Sequence, residues 1–191
     1  HILSSSADDR TFTINGILTT VSKFASRDIF GLEKYLSWGV DFKQLSVNHS
    51  DQRAKLLDEM SEYFQKLGVR TSLLERARLV GEEILMNAIY DAPVDSSGAH
   101  LFNHLDRTEV VSLQPEQAGA FRFGTDGLFM GISVQDPFGS LKPQTLLGYL
   151  KSCYDGVLDN SSQVKGGAGR GLHQIVENSD LTIFNLRPGQ T

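Results

Sequence analysis

A chain of 191 residues, 40% apolar and 21% charged, is long enough to bury its own core and has an ordinary globular composition. Its formal net charge of -5 argues against nucleic acid as the main partner. The single cysteine, Cys153, excludes an internal disulfide and suits a reducing cytoplasm, and no apolar run reaches the roughly 18 residues that span a bilayer. A chain that opens on His1 and stops at Thr191, just after a strand-like run, reads as a piece of a longer protein with neighbouring domains missing.

Residues 1–11 are polar and predict a loop. From Phe12 to about Leu36, apolar residues at 14, 17, 18, 21, 24 and 25 recur at helical spacing, and a second short helix is expected from Ile29 to Trp38, ending at Gly39. Residues 1–42 therefore read as a helical connector, suited either to dimerisation or to packing on the main domain. Lys43–Asn48 predicts a strand. Ser50 or Asn48 then caps a helix carrying Leu56, Leu57, Met60, Phe64 and Leu67, stopped by Gly68.

Ser72-Leu73-Leu74-Glu75 has the form of a capping box and opens a helix whose expected buried stripe is Leu73, Ala77, Val80, Ile84 and Ala88. A polar loop covers 94–106. Strands are expected at Thr108–Leu113, Ala120–Gly124 and Leu128–Gln135, the last two joined by a hairpin at Thr125-Asp126-Gly127. Helices at Gln144–Tyr154 and Leu172–Asn178 and a strand at Leu181–Leu186 complete the chain. This order predicts an α+β fold, a two-layer sandwich with one mixed, mostly antiparallel sheet and one helical layer over residues 43–191.

Three groups of residues carry chemistry. On the predicted helix, Leu79, Glu83, Asn87 and Asp91 share a row, because residues four apart stand on one face. Taken alone, such a row is only a solvated helix face. With a cleft beside it, asparagine offers a neutral oxygen to magnesium and glutamate a base. Gly131 to Gly139 is an alternating strand ending in Asp136 and a Pro-Phe-Gly turn, where a carboxylate can accept from the exocyclic amine of a base.

The third group is Lys165-Gly166-Gly167-Ala168-Gly169-Arg170-Gly171-Leu172, expected immediately before a helix. Its glycines allow close backbone approach to phosphate, and Lys165 and Arg170 add positive charge. It is not a P-loop, since the Gly-Lys-Ser/Thr ending is missing. Two histidines, His100 and His104, have metal-ligand spacing but sit in the polar loop without a cysteine nearby, and read as a chance pair.

Taken in order, these pieces resemble the GHKL superfamily of ATP-binding domains (the Bergerat fold), which includes histidine kinases, anti-sigma-factor serine kinases, type II topoisomerases and MutL-type repair proteins. Glu83-x-x-x-Asn87-Ala88 is similar to its N box, Asp136-Pro137-Phe138-Gly139 to its first glycine box, and Gly167-x-Gly169-x-Gly171-Leu172 to its second. The resemblance implies ATP and Mg2+ as ligands, with Asn87 on the metal and Glu83 as base or water-orienting group. It implies Asp136 and Gly139 at the adenine, assisted by Thr182, and Gly167, Gly169 and Gly171 at the phosphates; Lys165 and Arg170, from their charge, and Leu172, from its place in the box, are expected in the ATP site too. Residues from about 142 to 166 would form a lid over the nucleotide.

Two positions depart from the family pattern: Asp91 stands where relatives carry histidine, tyrosine or lysine, and the first box has lost one glycine and gained a proline. The arrangement of strand, long helix and N-box-like helix is most similar to the anti-sigma-factor serine kinases. A protein serine/threonine kinase or nucleotide-dependent switch in bacterial signal transduction is therefore expected, in the cytoplasm. Its protein partner would be a sigma factor, an anti-anti-sigma factor or an upstream signalling domain. An ATP-sensing binding module without phosphotransfer is the alternative.

Overall fold

The computed structural model describes residues 2–5, 10–37, 39–154 and 168–191. Strand β1 (Ile2–Ser5) and helix α1 (Arg10–Ser26) are followed by β2 (Lys43–Val47), α2 (Arg53–Lys66) and α3 (Thr71–Met86). Then come β3 (Gly119–Thr125), β4 (Met130–Gln135), α4 (Pro143–Tyr154), α5 (Ala168–Glu177) and β5 (Leu181–Phe184). Helix and strand are mixed, as an α+β fold requires. In place of one mixed sheet, the described residues form two antiparallel sheets, β2-β3-β4 and β1-β5. They stay separate because β5 pairs with β1, and it is the end of the chain that meets β4: the backbones of Asp136 and Thr191 bond each other in both directions (2.7 and 3.1 Å). Among the described residues, no helix is long and apolar enough to cross a membrane.

The inner face of the three-stranded sheet holds the core. Phe121 and Phe123 alternate inward from β3 and are fully buried with Val47, Met60, Phe64 and Leu85. Ring centroids of Phe64 and Phe123 lie 5.9 Å apart, and Tyr63 meets both rings edge-on at 5.3 and 5.4 Å. Each such pair is worth about 0.5–1.5 kcal/mol beyond the burial of its area. Helices α2 and α3 approach closely at Gly81, where a Cβ would lie 2.7 Å from Leu57 Cδ2. A mid-helix glycine costs about 1 kcal/mol against alanine, and here it is what lets the helices touch. A second core cluster joins Val80 of α3 to Leu146 and Leu150 of α4 and Leu172 and Ile175 of α5.

The outer face of the same sheet is covered by the connector. Gly124 and Gly131 are register partners, and the missing side chains make room for Phe42 over one and Leu32 and Leu36 over the other. Arg122 on that face pairs with Glu33 at 2.9 Å. The expected second N-terminal helix is only a 3-10 turn at Leu32–Lys34, because Arg27 (φ 56°) and Gly31 (φ 113°) break the helical path. The connector is also held at Asp126, which accepts from Ser37 N–H and Oγ as well as from Leu128 and Phe129 N–H. Burial opposes its ionisation, yet these donors outweigh it and hold the carboxyl at about 2.

Other expectations shift for local reasons. The predicted capping box at Ser72 does not form: α3 starts at Thr71 with no side-chain cap, which places both Ser72 and Glu75 inside the helix. Leu67 and Leu73 are exposed, and Leu85 and Ile89 take core places instead. The helix stop at Gly68 stands, with φ 80° and Val69 N–H reaching back to Phe64 carbonyl. Thr108–Leu113 is no strand; it makes a single bridge, His49 to Ser112, beside β2. Ser50 ends that pairing because its Oγ, in place of a backbone carbonyl, accepts Val111 N–H at 2.9 Å.

Candidate functional site

The long helix changes form at the residues singled out by spacing. After Met86 the regular α-helix gives way to a π-turn, Asn87–Asp91, closed by Ala92 N–H on the Asn87 carbonyl at 2.8 Å. Such widened turns recur at functional sites, where they re-aim side chains. Glu83, Asn87 and Asp91 all line one cavity of about 510 Å³, together with Arg107, Arg170 and Gly171. Leu79, the fourth member of the row, lines a second cavity of about 670 Å³ between α2, α3 and the segment before β3, and Arg107 lines both.

Helix α5 meets α3 at this cavity. A Cβ at Gly171 would lie 2.4 Å from Glu83 Oε2 and 3.9 Å from Asn87 Oδ1. The glycine leaves room for the Glu83 carboxylate where it now lies, between the two helices. The helix starts earlier than expected: Gly169, Arg170 and Gly171 lie in its first turns, not in a loop ahead of it. Leu172 is buried with Val80 and Leu146 and anchors the helix start from behind. Lys165, Gly167 and the second half of the expected lid, from 155 on, lie outside the described residues, while its first half is helix α4.

Electrostatics at the cavity follow from burial and from two arginines. Burial, and then the neighbouring Glu82, pushes the Glu83 carboxyl upward; Arg107 and Arg170 pull the other way, and Asp91 adds to the rise. Asp91 is also raised by burial, against the bond from Arg107, whose Nη2 sits 2.8 and 2.9 Å from its two oxygens. Asp91 is thus matched by an arginine from the connection between α3 and β3. Spacing and motif do not single out Arg107, since sixteen positions and a folded loop separate it from Asp91. The one available signal is Asp91 itself, a carboxylate on a half-buried row in need of a counterion.

Asp136, Gly139 and Thr182 do not belong to the lining of this cavity. Asp136 is 7% exposed, and its Oδ1 accepts Phe138 and Gly139 N–H at 2.8 and 3.2 Å; burial raises its carboxyl against those two bonds. Gly139 (φ 61°) lies against the chain's own end: a Cβ would stand 2.3 Å from the Arg187 carbonyl oxygen. The turn is tied to the helical segment through Ser140, whose Oγ donates to the Ala92 carbonyl at 2.8 Å. Thr182 is buried on β5, and its Oγ1 has no hydrogen-bond partner among the described residues. No protein-family model, curated protein or solved structure matches this chain.

Proposed function

We propose that the chain is an ATP-binding regulatory domain of the GHKL (Bergerat) type, acting as a serine/threonine protein kinase or a nucleotide-dependent switch in bacterial signalling. The observation that carries this reading is the contact of Gly171 with Glu83 and Asn87, which puts the N-box-like helix and the second glycine box on one cavity. The motifs are far apart in sequence, and nothing in helix packing alone calls for a carboxylate and an amide at that crossing. The Asp136 turn is tied through Ser140 Oγ to the Ala92 carbonyl at the end of the N-box-like helix, and the Thr182 hydroxyl, buried with no partner among the described residues, is a group that a purine ring nitrogen would satisfy.

The residues fit the metal and nucleotide that this reading needs. Among the described residues there is no cluster of three or more metal-binding side chains. Magnesium that keeps several waters and two phosphate oxygens needs only one protein oxygen, which Asn87 Oδ1 would give. Bound there, it would neutralise phosphate charge. Gly169 and Gly171 would bring backbone close to the phosphate chain, with Arg170 beside it. Glu83, its carboxyl raised by burial, is suited to accept a proton from an attacking hydroxyl or to orient it.

Thermal denaturation with and without magnesium and ATP tests the reading on wild type, Asn87→Ala and Asp136→Asn. Ligand at a hundredfold excess over its dissociation constant stabilises wild type by about 2.7 kcal/mol, and neither variant responds comparably. An equal response in all three removes the assignment. Transfer of γ-labelled phosphate to a partner serine, lost in Glu83→Gln, marks a kinase. Nucleotide-dependent partner binding without transfer marks a switch.

A further inference from the structure

One wall of the cavity comes from no recognised motif. It is Arg107, delivered by the long connection between α3 and β3. Contacts at both its side chain and its backbone fix the residue. Its Nη2 bridges both oxygens of Asp91 at 2.8 and 2.9 Å, its Cζ stands 4.9 Å from the Tyr90 ring centroid, and its backbone carbonyl accepts from Arg53 Nη1 and Nη2 at 3.4 Å. Tyr90 is itself fully buried and donates to the Glu109 carbonyl at 2.7 Å, so the platform under the guanidinium is rigid. The Arg107 side chain keeps 26% of its surface and lines the same cavity as Arg170, Asn87 and Glu83.

Such a constellation exceeds what a structural ion pair needs. A partner for Asp91 would serve on the surface, as most exposed pairs do, with little energetic return. Here the guanidinium is stacked, tethered through Nη2 and held beside the residues assigned to the metal and the phosphates. A guanidinium stays charged at every accessible pH and so acts as a fixed cation toward phosphate; here its Nη2 is engaged on both Asp91 oxygens and its Nη1 is buried. Asp91, in the same lining, would repel phosphate if left alone; tethering Arg107 cancels that repulsion and aims the cation. Arg107 and Arg170 line the same cavity as the Glu83 carboxyl.

We propose that Arg107, positioned by Asp91 and Tyr90, binds the phosphate chain in this cavity together with Arg170 and makes the site prefer polyphosphates to a monophosphate. The proposal rests on the nucleotide-binding reading of the cavity and extends it to a residue outside the motifs.

Calorimetric titration with ATP, AMP and inorganic tripolyphosphate, each with magnesium, tests it on wild type, Arg107→Ala, Arg107→Lys and Asp91→Asn. Arg107→Ala is expected to weaken ATP and tripolyphosphate about tenfold or more while AMP changes by less than about twofold. Arg107→Lys, which keeps charge without the fork, recovers part of the loss, and it serves as the working variant if the alanine form does not fold. Asp91→Asn weakens ATP by a smaller factor, as a positioning residue should. Equal weakening of ATP and AMP would assign Arg107 a structural role only and overturn the proposal, as would unchanged ATP binding in both Arg107 variants. A wild type that binds tripolyphosphate in an Arg107-dependent way but no adenine nucleotide keeps the proposal and sinks the ATP reading. A wild type that binds neither sinks both.

Discussion

Glu83 is the residue on which chemistry and stability pull apart. Burial and the adjacent Glu82 raise its carboxyl above the ordinary glutamate value, so the folded chain holds a proton there that the unfolded chain has already released. With more protons bound in the folded state, stability falls as pH rises from the unfolded value through the raised one. Glu83→Gln, similar in shape and uncharged, is therefore expected to melt higher than wild type at pH 7 and level with it below about pH 4, the unperturbed glutamate range. A melting curve at the two pH values checks this, and a variant that melts lower at pH 7 contradicts it. The same carboxylate would have to swing aside for any side chain at position 171, since a methyl there would stand 2.4 Å from Oε2.

The individual elements are legible in proportion to how local their causes are. The α2 stripe at 56, 57, 60 and 64, its stop at Gly68 and the hairpin closed by Asp126 depend on neighbours in sequence, and spacing finds all three. The capping box fails because helix α3 begins one residue earlier than its serine, a choice set by how the helix packs and not by Ser72. The strand expected at Thr108–Leu113 fails because Ser50, far away in the chain, takes the bond its ladder needed. Of the site, the row Glu83–Asn87–Asp91 is readable from helical periodicity, whereas Arg107 is not, because only the folded loop returns it to Asp91.

Element packing also gives a sharp expectation at Gly124. A Cβ there would lie 2.7 Å from the Phe42 ring and 3.3 Å from the Asp41 carbonyl oxygen, while at Gly131 it would meet only the movable ends of Leu32 and Leu36. Gly124→Val is expected to destabilise by about 1–3 kcal/mol through overpacking, and Gly131→Ala by less. Urea denaturation of the two variants orders them, and the reverse order would show that the connector does not rest on this face.

For the molecule as a whole, the aromatic cluster between sheet and helices dominates. Phe64 and Phe123 are fully buried and in contact, and Tyr63 touches both. Phe64→Ala is expected to cost about 3–5 kcal/mol, a large share of what a domain of this size has. Loss of the cooperative transition in chemical denaturation checks it. The double variant with Phe123→Ala should cost less than the sum of the singles, because the two rings share one contact.

The three-stranded sheet is assembled from pieces with unequal distances to travel. β3 and β4 are joined by a tight turn whose aspartate binds both the turn and the connector, so they can zip together with little loss of chain freedom. β2 pairs with β3 only after the chain has laid down two helices, and that closure is slow until the helices supply an apolar surface to collapse on. A refolding chain should therefore show protected hairpin amides in Gly119–Gln135 before those of Lys43–Val47, with the rate of the later event following the hydrophobic face of α2.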